Sequence, residues 1–402
     1  MKIVHLSTFD TGGAATAALR LHEGLLAAGM SSSFLSLYGS LGTYDPSRTR
    51  YQKHMLPLYR RVLGRFGVPV SQQDRNERMI RRLSGSHEAF TFPLTDHRVE
   101  RHPLIRDADV VHLHWVANFI NYPTFFGTVS KPIVWTLHDM NPLLGGFHYL
   151  GDKQRNPKFD QLEQTLRRVK ESVYRNTENL TFVTPSKWLW RHAEKCEALS
   201  KFNRVHIPYG LDLNVFRPYS RELANDVFHL DPSKKVLLFV SERVDNYRKG
   251  FDILLKSLEQ LQDRDDFQLV SIGFDSSSRD SRVHSLGSIT DNRLLAMAFS
   301  AADAFILPSR EDNLPNVMLE ALACGTPVIS FTNGGMSDVI KTGRTGILVP
   351  EISPEALQVG IRRFLSGEFV FDRTTIRSFA VSNFDSSLQS KQYQKLYEQL
   401  LG

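Results

Sequence analysis

Residues 306–330 read ILPSREDNLPNVMLEALACGTPVIS, and one carboxylate in that run calls for an explanation. From Leu314 to Cys324 the side chains are apolar except for Asn316 and Glu320. A helix apolar on every side is a buried helix, and a carboxylate inside it needs a polar partner or a cleft. No basic residue lies within a turn of Glu320 in the sequence. A carboxylate accepts two hydrogen bonds at once from a vicinal diol, so the hydroxyls of a ribose suit it. A salt bridge from another strand is the competing reading. Two more acids, Glu311 and Asp312, stand just ahead of the helix. Asn313 suits an N-cap and Pro315 the first turn, which predicts a helix from Asn313 to about Gly325. The exposed N–H groups between Asn313 and Asn316 would then face a second polar or anionic group.

Other residues carry weaker chemical signals. In TFDTGGAATAALRL, Gly12 and Gly13 open a helix directly after a strand. Paired glycines there let bare N–H groups approach an anion, although a tight strand-to-helix turn explains them equally well. The segment HLHW sets His112 and His114 two apart, on one face of a strand. With His138 and Asp139 of WTLHD they would make a zinc hydrolase set, against the plainer reading of satisfied strand-end histidines. Gly145, Gly146 and His148 follow His138 closely, and nothing local separates a binding role from a plain loop.

The elements that would position these residues fall into two series of alternating strands and helices. KIVHLS, SSFLSL, DVVHLHW, KPIVWTLHD, LTFVTPS and RVHIPY form the first; KVLLFV, FQLVSIG, RVHSLGSI, DAFILPS, TPVISF and GILVP form the second. Short runs rich in Val, Ile and Leu between helices imply parallel strands buried on both faces. Between the series, PYGLDLNVFRPYSRELANDVFHLDPSKK lacks a sustained period and reads as a linker. The fold class is therefore α/β, with two doubly wound Rossmann-like domains facing a cleft, since such sheets bind ligands beyond the carboxyl ends of their strands. The expected boundaries are 1–210, with an insertion over about 39–105, then 211–380, then a closing segment 381–402. A nicotinamide dinucleotide is disfavoured: the first turn lacks G-x-G-x-x-G, and no acid follows the second strand near Leu37.

Composition narrows the setting. A hydrophobic share of 41% and a charged share of 23% over 402 residues suit a globular protein of two domains. The opening MKIVHLSTFD reaches an acid too early for a signal peptide, no run approaches a membrane span, and Cys196 and Cys324 have no metal-ligand spacing. A reduced, cytoplasmic protein is the expectation. Between Pro46 and Arg106 there are 13 Arg or Lys against 5 Asp or Glu, an excess larger than the net +6 of the whole chain. That local basicity argues against a nucleic-acid partner spread over the protein and for one positive surface. Its densest part, RTRYQKHMLPLYRRVLGRF at residues 48–66, is suited to an anionic membrane surface, an anionic acceptor, or simple packing on its own domain.

Taken together, these segments resemble the family 4 retaining glycosyltransferases of the two-domain GT-B fold, of the type that builds bacterial polysaccharides. PSREDNLPNVMLEALACGTPVI is similar to the family signature of two Glu separated by seven intervening residues, followed by Cys-Gly-Thr-Pro-Val. Here the second acid is Glu320 and the first falls at Asp312, so either Asp312 or its neighbour Glu311 is the acid assigned to the donor sugar. SERVDNYRKGFDILL resembles the segment that places Arg243 and Lys249 on the donor diphosphate; WTLHD resembles the strand that sets His138 beside the sugar; IPYGLD resembles an interdomain turn, with Tyr209 where Asn is usual. The resemblance covers most of residues 1–38 and 109–400. It implies His138, Arg243, Lys249 and Asp312 in catalysis. Gly12, Gly13, Gly273, Ile289, Glu311, Asn313, Leu314, Pro315, Asn316 and Glu320 would join Arg243, Lys249 and Asp312 round the donor. It also implies that the last helix crosses back onto the first domain, and that no metal or other cofactor is required.

The implied reaction moves a sugar from a nucleotide-diphosphate donor to a hydroxyl of a glycan or lipid-linked glycan with retention. Bond breaking leaves a diphosphate with more charge than the intact donor, and an Arg fork with a Lys point charge would stabilise it. The leaving phosphate takes the acceptor proton in the family's usual description, so no carboxylate pair at glycosidase spacing is needed. The alternatives are a sugar-nucleotide epimerase, a phosphorylase, or a non-catalytic nucleotide-binding subunit on the same plan.

Overall fold

The computed structural model describes residues 1–39, 45–52, 69–83, 85–243, 246–274 and 283–402, without the side chains of Arg243 and Phe274. It divides into two compact units, Met1–Ile207 with Ser390–Gly402, and Pro208–Gln389.

The first unit holds a seven-stranded sheet in the order β3-β2-β1-β4-β5-β6-β7. The strands are β1 Lys2–Phe9, β2 Ser31–Tyr38, β3 Arg48–Arg50, β4 Val110–Leu113, β5 Ile133–Thr136, β6 Leu180–Thr184 and β7 Asn203–His206. Every pairing is parallel. The period of two along each strand sends alternate residues to opposite cores. Val4, Val111, Ile133 and Phe182 enter one core. Ile3, Val110, Val134 and Val183 enter the other, with Tyr393, Leu396 and Tyr397 from the final helix α7 (Ser386–Leu401) packed onto them. The change of unit falls between Gln389 and Ser390, inside α7, rather than near 381. Of the basic insertion, β3 and helix α2 (Gln72–Arg81) are described, the latter started by a Ser71–Asp74 capping box. Most of the stretch 48–66, for which a membrane surface is one of the readings, lies outside the described residues, which resume at 69.

The second unit holds six parallel strands in the order β10-β9-β8-β11-β12-β13. They are β8 Lys235–Arg243, β9 Phe267–Phe274, β10 Val283–Ser285, β11 Ala304–Leu307, β12 Val328–Phe331 and β13 Gly346–Val349, one for each apolar run of the second series. The stretch read as a linker is partly helical. It contains helix α4 (Arg221–Phe228), capped by Ser220, and belongs to the second unit. Ala224 and Phe228, four apart, are buried, and Arg221 forms a forked pair with Asp303. Two apolar residues on one face of a two-turn helix are too short a signal to register as a period.

In both sheets the strand order reverses beside the first strand, between β1 and β4 and between β8 and β11. The crevice outside the carboxyl ends of such strands is where doubly wound sheets place ligands. Among the described residues no helix is long and apolar enough to cross a membrane, and both cysteines are free thiols.

Candidate active site

At the β8/β11 reversal two loops are sewn together. β8 leads to a 3-10 turn, Tyr247–Lys249, whose start is capped by the Asn246 side chain accepting from Arg248 N–H at 3.0 Å. Gly250 follows with φ +73 and opens helix α5 (Phe251–Glu259). A Cβ on Gly250 would stand 1.9 Å from the Pro308 carbonyl oxygen, so only glycine lets this turn lie against the loop after β11. Arg310 N–H donates to Arg248 O at 2.8 Å, and the Arg248 guanidinium donates to Glu311 O at 3.0 Å.

Across that seam lies the charge cluster. Lys249 Nζ donates to Asp312 Oδ2 at 2.7 Å, and Arg248 lies 3.0 Å from the same oxygen. The other oxygen, Oδ1, accepts from Asn313 N–H at 3.0 Å. Asp312 is only 6% exposed, whereas the Lys249 side chain keeps 24% of its surface. Burial, the largest single influence, would raise the Asp312 carboxyl; the Lys249 and Arg248 charges together outweigh it and hold the group below the usual carboxylate range. The loop is fixed from behind as well. Gly335 N–H donates to Asp312 O at 3.0 Å, and a Cβ on Gly334 would stand 2.1 Å from that oxygen.

Helix α6 runs Asn316–Ala323, with Pro315 at its N-cap and Cys324 at its C-cap. This corrects the expected start at Asn313, which lies two residues before the Pro315 N-cap. The body is buried as the apolar run requires, and Glu320 is 4% exposed within it. Glu311, Asn313 and Leu314 are also buried. Gly273 lies near the end of β9 with φ +146 and donates to Gly287 O at 2.8 Å; Ile289 is half-buried beyond β10. Arg243 ends β8 in register with Phe274; its side chain lies outside what is described.

The first unit gathers the histidines. His5 on β1 pairs in register with His112 on β4, and the His112 and His114 rings stack at 4.2 Å. His138, just past β5, places Nε2 3.0 Å from His114 Nδ1. Burial pushes the His138 imidazole down to about 4, Asp139 only partly opposing it. Asp139 does not join this group: its Oδ2 meets His148 Nδ1 at 2.5 Å and Trp115 Nε1 at 2.7 Å. Among the described residues, the set whose ligating atoms lie within 4.8 Å of one another is therefore His5, His112 and His114, not the His112, His114, His138 and Asp139 set read from sequence. His112 directs its two nitrogens at Tyr397 and Thr136, at 2.7 and 2.8 Å. Ligating a metal would break those contacts.

The loop after His138 is packed inside its own unit. Gly145 and Gly146 N–H groups donate to the Glu163 carboxylate, both at 2.6 Å. Lys170 donates to Asn141 O at 2.6 Å and Leu144 O at 2.9 Å, and burial pushes its amine down to about 7. Both residues come from helix α3 (Asp160–Arg175). Gly12, with φ +86, precedes helix α1 (Gly13–Ala27) as an N-cap without a side-chain bond. The structure thus joins Lys249 with Asp312 in one unit and places His138, Gly12 and Gly13 in the other.

Arg248, Gly250 and Gly334, which shape the Lys249–Asp312 cluster, are not among the residues expected from sequence. The signals available were the Arg-Lys-Gly run and the Gly pair in TNGGMSD.

Solved structures share this fold. Sucrose-phosphate synthase from Thermosynechococcus elongatus superposes with a TM-score of 0.70 at 20% identity, over 100% of this chain and 99% of that one. The fold is GT-B. A second GT-B neighbour is Anabaena HepE, solved in complex with UDP-glucose, with a TM-score of 0.64 at 15% identity over 99% of this chain and 100% of that one. Residues 234–367, which include Lys249, Asp312 and Glu320, match the family described as Glycosyl transferases group 1. The D-inositol 3-phosphate glycosyltransferase of Arthrobacter sp. (strain FB24) is 31% identical over 261 residues, 60% of this chain. The chain spans 58% of that relative's length.

Proposed function

We propose that this protein transfers a sugar from a nucleotide-diphosphate donor to a hydroxyl of a glycan or lipid-linked glycan, with retention at the anomeric carbon. The observation that carries the reading is the Lys249–Asp312–Arg248 cluster at the β8/β11 reversal, next in sequence to the buried helix that bears Glu320. Lys249 offers its charge to the diphosphate, with Arg243 as the second cation; Glu320 takes the ribose diol. Asp312 acts through Lys249: its oxygens are engaged by two cations and a backbone N–H. A carboxylate so held, with its pKa depressed, is a poor acceptor for the proton of the incoming hydroxyl. That supports the leaving phosphate as the base and attack on the face it departs from. Glu311 is left as the acid for the sugar, and His138 as its partner from the first unit.

The glycosyltransferase names of the relatives support the reaction class, and the UDP-glucose complex of HepE makes uridine nucleotides the first donors to test. The proposed reaction needs no metal cofactor. The test is incubation of the full chain with a panel of nucleotide-sugars and mixed glycan acceptors, reading product by mass and anomeric configuration by NMR. Transfer with the donor's configuration kept is expected. Release of free nucleotide without any transfer to an acceptor would turn the reading to an epimerase or hydrolase.

A further inference from the structure

Three buried imidazoles of the first unit are joined end to end. His5 Nδ1 lies 2.9 Å from His114 Nε2, and His114 Nδ1 lies 3.0 Å from His138 Nε2. Burial holds all three below the usual histidine range, so each carries a single proton at neutral pH. Two arrangements of those protons satisfy both contacts. In one, every proton sits on Nδ1 and the bonds run from His5 to His114 to His138. In the other, every proton sits on Nε2 and the bonds run backwards.

The far end of the chain decides between them. His5 Nε2 is buried and has no hydrogen-bond partner among the described residues. The backward arrangement would strand an N–H there, and a buried donor without an acceptor is rarer and costlier than an under-used acceptor. His112 stacks on His114 but directs its own nitrogens at Tyr397 and Thr136, so it does not interrupt the run. The proton of one imidazole nitrogen is set by the bond that the other makes.

We propose that His5 and His114 are positioning residues that lock His138 as its Nδ1–H tautomer, so that His138 meets the sugar as a hydrogen-bond donor and not as a base. The relay rests on geometry alone; the sugar at its end rests on the glycosyltransferase reading.

The test is long-range nitrogen–proton NMR on the full chain labelled with nitrogen-15 at histidine, together with transfer kinetics. Wild type is expected to carry the His138 proton on Nδ1. His114→Phe keeps the ring volume but removes the donor that holds His138 Nε2 as an acceptor, and should let the Nε2–H form appear beside the Nδ1–H form. It should also cut kcat by about tenfold with the donor KM little changed, the loss expected for one transition-state hydrogen bond. His114→Asn restores a donor near the Nδ1 position and should keep the wild-type tautomer and most of kcat. A purely structural role would favour Phe over Asn. A wild-type spectrum with the proton on Nε2 overturns the relay whatever the activity, and remains decisive should His114→Phe fail to fold. The expected spectrum in a protein that turns over no nucleotide-sugar keeps the relay and removes only the sugar from it.

Discussion

The first unit buries imidazoles and hydroxyls bonded to one another, while the second pairs its carboxylates with cations, buried at Asp312, half-buried at Asp303 and exposed at Asp252. His5, His112, His114 and His138 share contacts with Thr136, Tyr393 and Tyr397. Asp312 pairs with Lys249 and Arg248, Asp303 with Arg221 and Lys235, and Asp252 with Arg310. A neutral network escapes most of the cost of burying charge but depends on staying neutral. An ion-paired loop pays that cost and gains charge already in place for an anionic ligand. The contrast suits a second unit that grips a diphosphate and a first unit that presents hydroxyl-reading groups.

Acid should separate the two units, and this is the largest effect expected. The four buried histidines have folded pKa values below the ordinary 6.5. As pH falls from 6.5 the unfolded chain takes up protons that the native unit refuses, so stability is full above 6.5 and drops toward pH 4. Each displaced histidine contributes up to about 1.4 kcal/mol per pH unit. Arg310 holds Asp252 low; burial would raise Asp303 and Asp312, but their cations outweigh it. Those carboxylates stabilise the second unit above the ordinary 3.8 and lose that effect only below it. Trp115, Trp135, Trp188 and Trp190 are all the tryptophans, and all lie in the first unit. Tryptophan fluorescence should report unfolding between pH 6.5 and 4 while amide protection in the second unit persists. Loss of both together below pH 4 would break the comparison.

Asp312→Ala comes next. It leaves two cations facing each other without their carboxylate and should destabilise the second unit by about 3 kcal/mol in urea. Gly250→Ala combines a left-handed backbone with a clash against Pro308 O and should cost about 2–4 kcal/mol. Gly29→Ala has a similar φ of +80 but open space around it, and should cost only about 1 kcal/mol. Equal losses at both glycines would deny that the Lys249 turn is held against the loop after β11. Thr136→Val, which removes a hydroxyl 2.8 Å from His112 and 2.7 Å from Tyr393, should cost the first unit about 1–2 kcal/mol.

How far the sequence revealed each unit follows from the same contrast. The second unit's strands stand out as continuous apolar runs because both faces are covered, and Lys249, Asp312 and Glu320 lie in short local segments. Asn313 looks like a cap because it stands before an apolar helix, but the N-cap is Pro315, whose ring suits the first turn without a side-chain bond. In the first unit the pattern placed His112 and His114 on one face. Nothing local tied them to His5, more than a hundred residues away, or to Tyr393 and Tyr397 near the end of the chain. Strand β3 has only Arg-Thr-Arg, an edge with no apolar signal to read.

Thermal unfolding of wild type and Lys249→Ala, with UDP, GDP, ADP and their sugar conjugates, tests the central claim most directly. One diphosphate series should stabilise the wild type, by about 2.7 kcal/mol at a hundredfold excess over Kd, and Lys249→Ala should lose most of that gain. Indifference of the wild type to every nucleotide, or an unchanged gain in Lys249→Ala, would contradict it.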